Sequence, residues 1–188
     1  DIPIYVSPDG SDVWAHPEMF QLDENNVSTQ IAGCPPDGFS ADGQVWGNPL
    51  YRWDYHRNTG FHWWVTRMWY SYKLYDVVRI DHFRGFDEYF SIPASTGKAK
   101  DGHWEAGPGM DLFHTLKANL GERGVIAEDL GHMTDSVRRL VKESGYPNMK
   151  VLQFAFEKED IGGANEYLPH NYSNNCVVYT GTHDNETV

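Results

Sequence analysis

The chain has few basic residues, few cysteines and no long apolar run, and each shortage excludes a class of protein. Its 188 residues include 15 Lys and Arg against 27 Asp and Glu, which gives a formal net charge of −12. That charge repels nucleic-acid phosphates and anionic lipid headgroups, so we expect no nucleic-acid partner and no membrane partner. No apolar run approaches the ~18 residues of a membrane-spanning helix, and no signal peptide opens the sequence.

The two cysteines, Cys34 and Cys176, lie far apart and have no paired metal-binding spacing. Such sparse cysteines are typical of a protein from a reducing compartment. The sequence begins at Asp1 without Met and ends at Val188 directly after a polar run. We therefore predict that it is a fragment of a larger protein.

Aromatic residues are abundant, with 7 Trp, 11 Tyr and 9 Phe making up 14% of the chain. Core packing accounts for most of this content. Flat rings beside carboxylates also suit uncharged, hydroxyl-rich ligands such as sugars.

Five short β-branched or apolar runs predict strands. They are Ile2–Val6, Val77–Ile80, Val125–Ala127, Val151–Phe156 and Val177–Thr180. Repeated strand and helix units indicate an α/β fold with a parallel sheet, either doubly wound or closed as a (β/α)8 barrel. No Gly-rich phosphate loop follows these strands, which favours the barrel over a nucleotide-binding sheet. Five strands cannot close such a barrel, so we expect three more outside this sequence.

The segments between the strands divide into helices and two long loops. The predicted helices cover residues 64–75, residues 110–120 up to Gly121, and a stretch from a cap at Thr134 or Asp135 to Gly145. The predicted loops, 7–58 and 91–109, are rich in Gly, Pro and aromatic residues. Loops of that length in a compact domain are usually functional or disordered, and the aromatic content favours function.

Acidic residues follow three of the predicted strands, at the edge where a parallel barrel carries its chemistry. In Arg79-Ile80-Asp81 the two-residue period of a strand places the guanidinium and the carboxylate on one face. A cation that close favours the ionised acid, as a nucleophile requires. A buried Arg/Asp pair that only fixes the mouth of the barrel is the alternative.

Glu128 follows an apolar strand and is expected to enter a partly dry site. Burial and a neighbouring anion both raise a carboxyl pKa toward neutrality, which suits a general acid/base. Asp129 alternates to the other face, where a structural or capping role is expected. A solvated loop position for Glu128 stays open as the alternative.

His183-Asp184 adds an imidazole and a third carboxylate after the last predicted strand. A metal site is the rival interpretation, because His82, His183, Asp81 and Asp184 could converge. Metal-dependent barrels usually show several histidines at strand ends, and most histidines here lie in loops, so no metal is predicted. Strand-end acids, aromatic loops and the missing phosphate loop together point to glycosidic chemistry.

These residues resemble the 4-α-glucanotransferases of the amylomaltase, or disproportionating-enzyme, type, which are relatives of the α-amylase barrels. The resemblance covers essentially the whole sequence. Its most specific segments are 35–40 (PPDGFS), 43–49 (GQVWGNP), 79–85 (RIDHFRG), 127–131 (AEDLG) and 182–185 (THDN), with 152–156 (LQFAF) also similar. Their occurrence in this order is far more specific than any one segment.

The resemblance implies roles for three acids and two of their neighbours. Asp81 corresponds to the nucleophile after the fourth barrel strand, Glu128 to the acid/base after the fifth, and Asp184 to the transition-state-stabilising acid after the seventh. Arg79 and His183 are then expected to support the nucleophile and the sugar in the cleavage subsite.

The resemblance also implies the architecture and the substrate contacts. The five strands would be strands three to seven of a (β/α)8 TIM barrel, with 1–188 part of a single catalytic domain and the loops at 7–58 and 91–109 as substrate-loop insertions. The segment carrying Asp37, Phe39, Gln44 and Trp46 resembles a loop that covers the glucan. A cytoplasmic location is implied, with a plastid as the alternative in a eukaryote.

The activity implied is retaining transfer of α-1,4-glucan segments between maltooligosaccharides, without a metal or organic cofactor. Retention predicts that the nearest carboxyl oxygens of Asp81 and Glu128 lie about 5–5.5 Å apart. A hydrolytic α-amylase-like or branching enzyme would share the three acids and is one alternative. A non-catalytic glucan-binding homologue is the alternative from a different class.

Overall fold

The computed structural model describes residues 1–36, 40–131, 133–156, 162–183 and 185. Its α-helices are α1 (Ser11–Ala15), α2 (Trp53–Asn58), α3 (His62–Leu74), α4 (Met110–Leu120) and α5 (Asp135–Ser144). Its strands are β1 (Gln30–Cys34), β2 (Gln44–Pro49), β3 (Val77–Ile80), β4 (Glu88–Pro93), β5 (His103–Ala106), β6 (Gly124–Ala127), β7 (Asn148–Val151) and β8 (Cys176–Tyr179).

Four of these strands form a parallel sheet in the order β3-β6-β7-β8. β3 and β6 pair in register from Val77 opposite Gly124 to Ile80 opposite Ala127. Because the strands are parallel, their carboxyl ends lie at one edge of the sheet. The predicted α/β class with a parallel sheet is therefore confirmed.

Two predicted strands differ from the structure. Where a strand Ile2–Val6 was expected, Ile2 alone forms a parallel bridge to Ile80, and the next residue, Pro3, has no N–H to extend the ladder. The predicted strand Val151–Phe156 is wrong, because β7 ends at Val151 and residues 152–156 form a 3-10 helix.

A buried lysine explains why the sequence pattern misplaced β7. Lys150 is in the strand and only 7% exposed, yet its polar side chain breaks the apolar run that predicts a strand. Its ammonium forms an ion pair with Glu166 and lies 5.1 Å from the centre of the Tyr167 ring. Tertiary partners therefore make a polar residue acceptable inside the strand.

The segments predicted as loops contain much of a second sheet, which is antiparallel and has the order β2-β1-β4-β5. Gly33 allows β1 and β2 to approach closely. A Cβ atom there would lie 2.1 Å from the Gln44 carbonyl oxygen and 2.5 Å from Cδ1 of Ile92. Glycines needed for such contacts resemble loop glycines in a sequence, which hides the strands.

The three predicted helices are confirmed as α3, α4 and α5. The Thr134 hydroxyl accepts a hydrogen bond from the Val137 N–H at 3.3 Å and caps α5, which Gly145 ends with a φ of 73°. Trp64 and Met68 of α3 are buried against the sheet. Among the described residues no helix combines the length and apolar character that a membrane span requires.

His56 of α2 lies within the aromatic part of the core and is 1% exposed. Its ring makes edge contacts with Tyr51 at 5.3 Å and Trp63 at 6.1 Å between centroids. Burial lowers the pKa of His56 to about 4, so the native protein holds a neutral imidazole there.

We expect acidification to destabilise the protein through His56. Between pH 6.5 and pH 4 the unfolded chain binds a proton that the native ring does not, so the free energy of unfolding falls with falling pH. The difference amounts to about 3 kcal/mol. Denaturant titrations of the complete protein across this range measure it, and His56→Phe should reduce the fall by about this amount.

The control is His114→Phe, because His114 is exposed on α4. This variant should keep the pH dependence of the wild type. An identical fall in His56→Phe and the wild type would exclude His56 as its source.

Candidate active site

The candidate site lies at the carboxyl edge of the parallel sheet, where β3 and β6 end side by side. Asp81 follows Ile80 and Glu128 follows Ala127, and these two preceding residues are direct partners in the ladder. The Glu128 N–H donates to the Ile80 carbonyl oxygen at 3.0 Å. The strand register therefore makes the two acids neighbours although they are 47 positions apart in the sequence.

Arg79 and Asp81 lie on one face of β3, as the strand period predicts. Nη1 of Arg79 donates to Oδ1 of Asp81 at 3.1 Å and to Oδ1 of Asp1 at 2.8 Å. The Arg79 side chain is only 12% exposed, and its Nε lies 3.0 Å from the Met149 sulfur. Its positive charge is thus held at the site by two carboxylates and a buried thioether.

Glu128 is 9% exposed, and both of its carboxyl oxygens accept backbone hydrogen bonds. The His82 N–H donates to Oε2 at 2.6 Å, and the Leu130 N–H donates to Oε1 at 2.7 Å. Burial raises the pKa of Glu128 above its ordinary value, and the charge of Asp81 adds to the rise. These two hydrogen bonds and the charge of Arg79 oppose the rise without cancelling it.

The Asp129 carboxylate bonds to the start of β7 rather than to the turn after β3. Its Oδ1 accepts from the Met149 N–H at 2.9 Å, and its Oδ2 accepts from Nδ2 of Asn148 at 3.3 Å. Asp129 therefore joins the end of β6 to the start of β7.

His82 follows Asp81 and has a left-handed backbone conformation, with φ 53° and ψ 50°. Burial lowers the pKa of its imidazole to about 3, and the nearby charge of Arg84 adds to the effect, so the ring is neutral. Sequence patterns could not identify its contact with Glu128, because the donor is a backbone N–H that nearly every residue type carries.

Two residues of the predicted glucan-covering segment lie in β2. The Trp46 ring makes an edge contact with the His82 ring, with centroids 4.8 Å apart and planes at 89°. Nε1 of Trp46 donates to Oε1 of Gln44 at 2.9 Å. The structure thus brings Trp46 to the turn that follows Asp81.

His183 is exposed and lines an open cavity on the sheet face together with Asp1, Arg79 and Met149. Three other predicted site residues, Asp37, Phe39 and Asp184, lie outside the described residues.

Metal ligation was the rival interpretation of the strand-end histidines and acids. Within the described part of the chain, no three His, Cys, Asp or Glu side chains are grouped so that they could hold a metal ion.

The chain is similar to known proteins along its whole length. It matches the family described as 4-alpha-glucanotransferase over residues 1–188. The 4-alpha-glucanotransferase of Streptococcus pneumoniae is 53% identical over 188 residues, which are 100% of this chain and 37% of that relative. The 4-alpha-glucanotransferase of Clostridium butyricum is 50% identical over 189 residues, which are 100% of this chain and 38% of that relative.

The fold of the chain is also similar to that of a solved structure. The amylomaltase from Streptococcus agalactiae in complex with acarbose matches with a TM-score of 0.94 and 47% identity. The match covers 98% of this chain and 37% of the amylomaltase chain. The present chain therefore spans less than two fifths of the length of these relatives.

Proposed function

The chain belongs to the 4-alpha-glucanotransferase family, and from this membership we propose that it carries the catalytic acids of an enzyme that transfers α-1,4-glucan segments between maltooligosaccharides. The observation that carries the proposal is the position of Asp81 and Glu128 side by side, each directly after the end of one of two neighbouring parallel strands. One acid is paired with Arg79, and the other is buried and has a raised pKa. Such a division suits one nucleophile and one proton donor.

The proposed reaction has two displacements. Asp81 attacks the anomeric carbon of an α-1,4-linked glucose while Glu128 protonates the departing 4-oxygen, so the glycosidic bond breaks and a β-linked glucosyl-enzyme forms. Glu128 then takes the proton from the 4-hydroxyl of a second glucan, which attacks the anomeric carbon and releases Asp81. The new bond is again α-1,4, and Glu128 is protonated for the next cycle.

The remaining predicted side chains would act on the sugar rather than on the bond. Asp184 would stabilise the oxocarbenium-like transition state through sugar hydroxyls, with Arg79 and His183 supporting the same subsite. Asp37, Phe39, Gln44 and Trp46 would contact the glucan, since sugar rings stack on flat side chains. The chemistry requires no metal or organic cofactor.

We also propose that the sheet is part of a (β/α)8 barrel, with residues 1–188 belonging to a single catalytic domain. The order from the Ile2 bridge through β3, β6 and β7 to β8 supports the assignment of strands three to seven. The antiparallel sheet, most of which lies within 7–58 and 91–109, would be an insertion on the substrate side, since it places Trp46 against His82.

Incubation of the complete protein with maltotriose tests the activity. We expect glucose and longer oligomers such as maltopentaose, with a constant number of reducing ends, because each bond broken is replaced by a bond formed. A hydrolase would give glucose and maltose with a rising number of reducing ends. Products no longer than maltotriose, or no products, would reject transfer.

A further inference from the structure

We propose that His82 is a positioning residue that couples the stacking of glucan on Trp46 to the orientation of the Glu128 carboxyl group. The inference rests on the proposed function, because it takes Glu128 as the acid/base and Trp46 as a glucan contact. In this role His82 does not take part in the bond changes. It acts on Glu128 through the packing of its ring and through its backbone N–H.

The backbone at His82 holds Glu128 at two points. The His82 N–H donates to the Glu128 carboxyl at 2.6 Å, and the Phe83 N–H donates to the Glu128 backbone carbonyl at 2.9 Å. Both donors depend on the left-handed conformation of His82, which costs a residue with a Cβ atom roughly 1 kcal/mol or more. Surrounding contacts must therefore hold this turn in place.

The imidazole is the part of His82 that receives those contacts. A Cβ atom on Gly85 would lie 3.2 Å from its Cδ2, so the ring packs closely on the backbone of the following turn. The Trp46 ring meets it edge-on at 4.8 Å. Because the imidazole is neutral and only partly exposed, packing rather than charge holds it.

Trp46 connects this packing to the open side of the site. It is 37% exposed, so part of its indole is available to a sugar while another part contacts His82. Its Nε1 donates a hydrogen bond to the Gln44 side chain. Glucan stacked on Trp46 would press the indole against His82 and so fix the N–H that holds Glu128.

The test compares His82→Ala, His82→Phe, Trp46→Ala and the double variant of His82→Ala with Trp46→Ala in the complete protein. We expect His82→Ala to lower kcat by about 10- to 100-fold, since an error of ~1 Å in a catalytic group costs up to ~10²-fold. His82→Phe keeps a flat neutral ring and should recover most of kcat. In kcat the double variant should be little worse than His82→Ala, because both changes break one connection, whereas the lost glucan contact of Trp46 raises KM.

A pH profile separates positioning from a loss of folded protein. The His82 N–H stabilises ionised Glu128, so its displacement in His82→Ala raises the Glu128 pKa and moves the alkaline limb of kcat/KM upward by about half to one pH unit. Asp81, Arg79 and Tyr167 also face Glu128 electrostatically and are unchanged in these variants.

His56→Ala is the matched control, because it also removes an imidazole in edge contact with an aromatic side chain. It should lower stability and leave the alkaline limb in place. Multiplying effects in the double variant, or an unmoved limb in His82→Ala, would overturn the inference. Failure of the wild type to lengthen maltotriose would instead overturn the proposed function beneath it.

Discussion

Replacing Asp81 with Asn is expected to lower kcat for transfer between maltooligosaccharides by at least about 10⁴-fold, comparable to the loss of a catalytic-triad member. The amide cannot attack the anomeric carbon, and it cannot carry the charge that faces Arg79 at 3.1 Å. Chromatography of the maltotriose products over time measures the loss in the complete protein. Retention of wild-type activity would reject Asp81 as the nucleophile.

Asp111→Asn is the matched control for this substitution. Asp111 also pairs with an arginine at 3.1 Å, but its partner is Arg57 and its side chain is 64% exposed. An exposed pair of this kind contributes at most about 1 kcal/mol, so the control should transfer glucan at nearly the wild-type rate.

A labelled glucosyl-enzyme trapped with a slow fluorosugar should carry its label on Asp81.

Glu128→Gln is expected to lower kcat with maltotriose by about 10²- to 10⁴-fold, because the departing 4-oxygen no longer receives a proton. A glucosyl fluoride donor needs no such proton, so formation of the glucosyl-enzyme from it should be largely spared. Burial raises the pKa of Glu128 above its ordinary value, which is the direction that a proton donor needs. The alkaline limb of the pH profile, which reports this acid, should disappear in the variant.

Glu128→Ala is a second variant, because the Gln side chain in Glu128→Gln would point its NH2 group at the N–H of His82 or Leu130 and could disturb the site. The Ala side chain has no such group, so a loss of activity in it is easier to interpret. Added azide should accelerate release from the Glu128→Ala intermediate and give α-glucosyl azide, the product of net retention. Asp129→Asn is the control, because the Asp129 carboxylate bonds to β7, and it should lower stability without removing the alkaline limb. A β-linked product would show inversion and reject the double displacement.

The helices and one strand were predictable from local patterns. α4 begins at Met110 and ends at Leu120, and α5 is capped by Thr134 and ended by Gly145, as the capping residues indicate. β3 has the predicted bounds Val77–Ile80. These elements are specified by residues within a few positions of one another, so their sequences carry the information.

The second sheet and the position of β7 were not predictable in this way. β1 pairs with β4 about 60 positions away, and Gly33 in β1 is needed by a neighbouring strand rather than by its own segment. Lys150 is tolerated in β7 because Glu166 and the Tyr167 ring pair with its ammonium. Both residues are explained by contacts with partners that are distant in the sequence, and local periodicity carries no information about such contacts.

For the candidate site the division is similar. The sequence by itself determined which acids follow the strands, that Arg79 and Asp81 share a face, and that the chain resembles glucanotransferases. Only the tertiary structure decided that Asp81 and Glu128 end neighbouring strands and that His82 and Leu130 donate backbone N–H groups to Glu128. The physical reason is that the chemistry of a side chain follows from the identity of its residue. Strand register, burial and backbone hydrogen bonds between strands exist only once distant segments have packed together.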